Sequence, residues 1–107
     1  MFFSKKLQEE IKIINERIAQ QHPQHSTETK RLLQFAKLTE EVGELSNEIL
    51  ASVGYQRKEK LKNHSKQTLE SEFADVFITS LLLAQTCEID INKALEEKFK
   101  KLDNRWK

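Results

Sequence analysis

Two glycines and one proline in 107 residues leave this chain few places to break a helix, and its apolar residues recur at intervals of three and four. That combination predicts an all-α fold in which strands have almost no foothold. The first helix is expected from about Ser4 to Gln21 on a stripe of Phe3, Leu7, Ile11, Ile14 and Ile18, ended by Pro23. Ser26 or Thr27 can cap a second, longest helix running to about Ser52, with Leu32, Phe35, Leu38, Val42, Leu45 and Ile49 expected on one apolar face. A third helix, about Lys66 to Thr86, is apolar nearly all round between Phe73 and Ala84. It reads as the central buried element, with Phe73 and Phe77 in the core. Asp90 can cap a last helix to about Asn104, carrying Ile91, Leu95, Phe99, Leu102 and Trp106 toward the core. The expected architecture is a four-helix bundle-like protomer, a single domain over residues 1–107. Its size is one at which a single layer of helices often needs a partner chain to cover its apolar surface, so a homo-oligomer is expected.

Charge and cysteine content narrow the function classes. Eighteen basic residues face seventeen acidic ones with no basic half, which argues against a nucleic-acid groove. Cys87 stands alone, excluding a disulfide framework and a thiolate zinc cluster; it reads as a packed residue in a reducing compartment, and the chain as cytoplasmic. No segment approaches the ~20 apolar residues of a membrane span, and no apolar stretch of a secretory signal follows Lys5 and Lys6. His22, His25 and His64 lack ligand spacing and read as surface residues. Between Val53 and about Lys66 the apolar repeat gives way to a polar, basic connection, expected to be mobile and able to fold over a ligand.

The chemistry is concentrated in two carboxylate pairs, Glu41-Val42-Gly43-Glu44 and Glu72-Phe73-Ala74-Asp75, each one helical turn apart on a single face. A lone pair of this kind usually marks a solvated surface. Here the spacing recurs on two helices, and Asp75 lies within Phe73-Ala74-Asp75-Val76-Phe77-Ile78, too apolar for an ordinary surface. A buried carboxylate needs a proton, a cation or a metal. Hard oxygen ligands select Mg²⁺, or Mn²⁺, and point to phosphate chemistry at one or more ions. A salt bridge from Asp75 to Lys98 or Arg105 is the plainer alternative. Glu40 and Glu48 are spare carboxylates able to orient a water or accept its proton. Lys98, Lys101 and Arg105 form a cationic stripe suited to a polyphosphate, or to the dipole at a helix C-terminus, and Lys37 lies one turn before Glu41.

The segments KLTEEVGELSNEI and ESEFADVFITSLLL resemble the MazG nucleotide pyrophosphohydrolase family of the all-α NTP pyrophosphatase superfamily. Its Glu-x-x-Glu and Glu-x-x-Asp motifs fall on Glu41 and Glu44, then Glu72 and Asp75. The closing segment NKALEEKFKKLDNRW is similar to the family's last helix, with its phosphate-contacting basic residues. The resemblance covers about residues 30–107. It implies Mg²⁺-dependent cleavage between the α and β phosphates of a nucleoside triphosphate, giving the monophosphate and pyrophosphate in nucleotide-pool housekeeping. It also implies a homodimer or homotetramer, metal ligands at Glu41, Glu44, Glu72 and Asp75, and phosphate contacts at Lys98, Lys101 and Arg105.

Two other classes compete with this reading. A di-iron bundle also draws glutamates from facing helices, but it wants Glu-x-x-His pairs and neither motif carries one. A non-catalytic helical interaction or regulatory module keeps the bundle without the chemistry, and its mark is indifference to Mg²⁺.

Overall fold

Each described helix of this chain begins on a short polar side chain that accepts a hydrogen bond from the N–H three residues further on. Ser4 receives Leu7 N–H at 3.1 Å, Ser26 receives Thr29 N–H at 3.1 Å, Ser65 receives Thr68 N–H at 3.1 Å, and Asp90 receives Lys93 N–H at 3.2 Å. The computed structural model of the chain describes residues 1–55 and 65–106, so most of the basic connection and His64 lie outside the described residues. Among those described there are four α-helices and no strand: α1 Lys5–Gln21, α2 Thr27–Ser52, α3 Lys66–Thr86 and α4 Ile91–Arg105. The chain is all-α, with the long second helix and strongly apolar third helix that the periodicity predicts.

α2 and α3 end in the same way. Beyond α2, Gly54 N–H reaches Ala51 O and Tyr55 N–H reaches Leu50 O, while Gly54 turns left-handed at φ 79°. Beyond α3, Glu88 N–H reaches Gln85 O and Ile89 N–H reaches Ala84 O, but the left-handed residue is Glu88, at φ 59°. A side chain with a Cβ is disfavoured there by about 1 kcal/mol. Glu88→Gly is therefore expected to stabilise the fold by about that amount, read as a rise of a few degrees in Tm. An unchanged or lower Tm would contradict this account of the turn.

The chain forms two compact units, one of Met1–Arg31 with Leu81–Lys107, the other of Leu32–Ser80. In the first, Ile11 and Leu82 are buried. Asn15 Nδ2 ties α1 to α3 by donating to Leu82 O at 3.2 Å and to Gln85 Oε1 at 2.8 Å. Phe3 N–H donates to Asn92 Oδ1 at 2.8 Å, and the Phe2 and Phe99 rings lie 5.2 Å apart. A cavity of about 210 Å³ opens beside these contacts, lined by Leu7, Ile11, Leu81 and Ile91 with Gln8 and Asp90, and it holds none of the predicted metal ligands.

The second unit is a helical hairpin of the α2 and α3 segments, and its polarity is inverted. Its two arms run antiparallel, since Glu48, late in α2, meets Thr68, early in α3, whereas Glu41 meets the later Asp75. Glu41 is buried, and Leu38, Leu45 and Glu48 of α2, with Thr68, Glu72, Asp75 and Thr79 of α3, are half-buried. Leu32, Phe35, Val42 and Ile49 are exposed instead, as are Phe73, Phe77 and Ile78. Two expectations are corrected here. The face predicted for α2 divides, with Leu38 and Leu45 turned inward and Phe35, Val42 and Ile49 outward. Phe73 and Phe77 are not core residues within one chain, because α3 gives its inward positions to Thr68, Glu72, Asp75 and Thr79 with Leu69 and Val76 beside them. Trp106, expected to pack, is 89% exposed.

Candidate metal centre

Steps of three and four residues keep side chains on one helix face, and both arms of the hairpin use that rule on acidic residues. Glu41, Glu44 and Glu48 climb α2 while Thr68, Glu72 and Asp75 climb α3 in the opposite direction, so the two series meet. Glu41, Glu72 and Asp75 each present a carboxylate oxygen within 4.8 Å of the others. The two predicted pairs are thus brought together across the hairpin, and three of the four residues converge. Glu44 is exposed and stands outside that trio, close enough for its charge to act on Glu72.

Glu41 is only 6% exposed. Its Oε1 pairs with Lys37 Nζ at 3.2 Å, and the same ammonium lies 3.5 Å from Glu40 Oε1. The hydrogen bond to Glu41, then the charge of Glu40, raise the Lys37 pKa and hold the lysine charged. Lys37 and Glu40 therefore sit together at the solvent edge of the cluster. Glu41 Oε2 and Glu72 Oε2 are buried with no hydrogen-bond partner among the described residues. Each such oxygen forfeits its hydration without replacement, an unfavourable arrangement for a carboxylate.

Glu72 carries the electrostatic consequence. Its pKa is raised first by burial, then by the charges of Glu44, Asp75, Glu41 and Glu48. No cation of the described residues in this hairpin pairs with it. Glu48, half-buried, accepts a hydrogen bond on Oε2 from Thr68 Oγ1 at 2.9 Å. Thr79, on the same stripe of α3, spends its hydroxyl on its own helix by donating to Asp75 O at 2.7 Å.

A raised carboxyl pKa destabilises the folded state once the group is ionised. The contribution of Glu72 is favourable below its ordinary 4.5 and is lost as pH rises through the higher folded value. In chelator-treated protein, Glu72→Gln should then match wild type near about pH 4 and exceed it in stability near about pH 7. Urea unfolding at the two pH values measures this; a stability difference independent of pH would contradict it.

These features fit a hard divalent cation. The donors are all carboxylate oxygens, two of them are buried without partners, and their mutual repulsion is what a cation relieves. The remaining predicted residues stand apart from this hairpin in sequence. Lys98, Lys101 and Arg105 belong to the other unit, where all three are exposed on α4 and form no ion pair among the described residues. Sequence reasoning passed over Thr68, although the Ser65-x-x-Thr68 spacing and its position four and seven residues before Glu72 and Asp75 are legible signals.

No helix among the described residues is long and apolar enough to cross a membrane. No curated protein and no solved structure matches the chain. The family model described as the MazG nucleotide pyrophosphohydrolase domain matches residues 29–107, a span that contains both carboxylate pairs and the basic stripe. With most of its length matched, and its acidic residues gathered as a cation site requires, the chain belongs to the MazG nucleotide pyrophosphohydrolase family.

Proposed function

We propose that this protein is a Mg²⁺-dependent nucleoside triphosphate pyrophosphohydrolase, with Mn²⁺ able to substitute, that cleaves the α–β phosphoanhydride bond to release a nucleoside monophosphate and pyrophosphate. The observation that carries the reading is the pair of buried oxygens on Glu41 and Glu72, beside Asp75, that have no hydrogen-bond partner among the described residues. These three residues, with Glu44 at the open side, hold the cation; when bound it supplies Lewis-acid polarisation of a phosphoryl oxygen and neutralises charge on the polyphosphate. Glu48, held at the edge of the cluster, and Glu40 are the carboxylates available to orient the attacking water and take its proton as the bond to the β phosphate breaks. Lys98, Lys101 and Arg105 are exposed cations suited to phosphate oxygens. Lys37 joins them as a contact once substrate competes with Glu41 for its ammonium. Residues 1–107 are read as one functional domain, a reading supported by a family match over 29–107 that includes parts of both units, and the lone Cys87 supports a reducing, cytoplasmic setting.

The same reading includes a homodimer or homotetramer. Phe35, Val42 and Ile49 recur every seven residues on α2 and are exposed, as are Phe73 and Phe77 of α3, and a second copy offers the matching stripe. Exposed apolar side chains grouped in this way mark a contact surface rather than a solvated one. A non-catalytic interaction module shares that face but leaves the partnerless carboxylate oxygens without a role. Incubation with a panel of nucleoside triphosphates and Mg²⁺, followed by product analysis, separates the two. Monophosphate and pyrophosphate support the enzyme, and absence of turnover by folded oligomer with every triphosphate overturns it.

A further inference from the structure

The hydroxyl of Thr68 belongs to two structures at once. It lies at the third position of α3, where its backbone N–H is capped by Ser65 Oγ at 3.1 Å and its Oγ1 returns the favour by accepting Ser65 N–H at 3.0 Å. This reciprocal arrangement usually uses a glutamate or glutamine at the third position. Threonine, whose hydroxyl is donor as well as acceptor where an ionised glutamate only accepts, keeps one proton to give away. Its two acceptors are Ser65 O at 2.8 Å and Glu48 Oε2 at 2.9 Å, and an ionised carboxylate is the stronger of these. The first turn of α3 is in this way bonded to α2 through a side chain whose rotation the cap has already fixed.

That bond closes one end of the acidic face. From Glu48 the α2 series steps back by four and three residues to Glu44 and Glu41; from Thr68 the α3 series steps forward by four and three to Glu72 and Asp75. A slip or rotation of either helix that breaks the Thr68–Glu48 bond also moves Glu72 and Asp75 away from Glu41, because all six residues share the facing stripes. The bond joins opposite helices through a neutral donor, whereas the carboxylates around Glu72 repel it.

We propose that Thr68 is a positioning residue of the carboxylate centre: its cap-locked hydroxyl holds Glu48 and sets the α2–α3 register at which Glu41, Glu72 and Asp75 converge on a divalent cation. This assignment rests on the metal reading given above and not on which phosphoanhydride is cleaved. A residue that merely caps α3 costs stability when truncated and leaves metal affinity alone. A positioning residue weakens the cation site, on the order of tenfold or more by the usual effect of removing a partner that orients a ligand.

The test is Mn²⁺ binding to the full-length folded protein, followed by paramagnetic resonance of the free ion, for wild type, Thr68→Val, Thr68→Ser and Glu48→Gln, with Tm recorded for each. Thr68→Val should raise the Mn²⁺ Kd by about tenfold or more, Thr68→Ser should bring it back to near wild type, and the double variant Thr68→Val with Glu48→Gln should be no worse than the weaker single variant. A Thr68→Val protein with lowered Tm and unchanged Kd makes Thr68 a cap alone and overturns the assignment. Wild type that binds no Mn²⁺ overturns both it and the metal reading. Wild type that binds Mn²⁺ but turns over no triphosphate overturns the proposed reaction only, and the Kd comparison still decides the role of Thr68.

Discussion

Asp75→Asn is expected to lower nucleotide hydrolysis by about three orders of magnitude while leaving the helices and the oligomer in place. The substitution keeps the shape of the side chain and removes one of three converging carboxylates. A cation that contributes several kcal/mol of charge stabilisation loses much of that contribution when a ligand becomes a neutral amide, and each ~1.4 kcal/mol is a factor of ten in rate. The fold responds in the opposite sense. Asp75 is one of the charges that push the Glu72 pKa upward, so its neutralisation relieves repulsion in the metal-free hairpin. Steady-state pyrophosphate release and thermal unfolding with chelator, measured on one preparation, check both halves. A variant with near-wild-type turnover, or one that loses activity only because it has unfolded, would contradict this account of Asp75.

Phe35→Glu and Phe77→Glu are each expected to dissociate the oligomer and to lower stability by several kcal/mol. In an isolated chain these rings are 60% and 59% exposed, and a charge at such positions ordinarily changes stability by no more than about 0.5 kcal/mol. If the outer face of the hairpin is covered by a second copy, the same charge is driven into an apolar contact without a partner, at far higher cost. The two rings lie on different helices, so agreement between the variants points to the face rather than to one residue. Sedimentation at several protein concentrations reads the outcome directly. Wild type that sediments as a monomer, or variants that retain its mass and Tm, would remove the oligomer from the reading.

Helix positions were legible because they depend on local chemistry. Ser4, Ser26 and Asp90 cap where a short polar acceptor precedes an apolar repeat, and α3 spans Lys66–Thr86 as its periodicity predicts. The carboxylate pairs were legible because a three-residue step on a helix fixes a common face whatever the partner. The direction of that face was not. Apolar content alone placed Phe73 and Phe77 inside, since an apolar helix is usually a buried one. The hairpin instead turns its acid stripe inward and its rings outward, a choice that depends on what lies across from each face: in our reading, a cation inside and another chain outside. Thr68 was missed for a related reason. Its significance comes from Glu48, twenty residues away in sequence and one hydrogen bond away in space. Glu44 marks a further limit of spacing arguments, because a residue on the correct stripe still lies outside the trio when it falls at the open edge.

The central claim is that the inward acid stripe exists to hold a divalent cation, and calorimetric titration of Mg²⁺ into the chelator-treated wild-type protein beside Glu72→Gln tests it most directly. The expected result is saturable binding to wild type, accompanied by a rise in Tm, with both lost in Glu72→Gln although that variant remains folded. Equal Mg²⁺ affinity in the two proteins, or no binding by either, would contradict it.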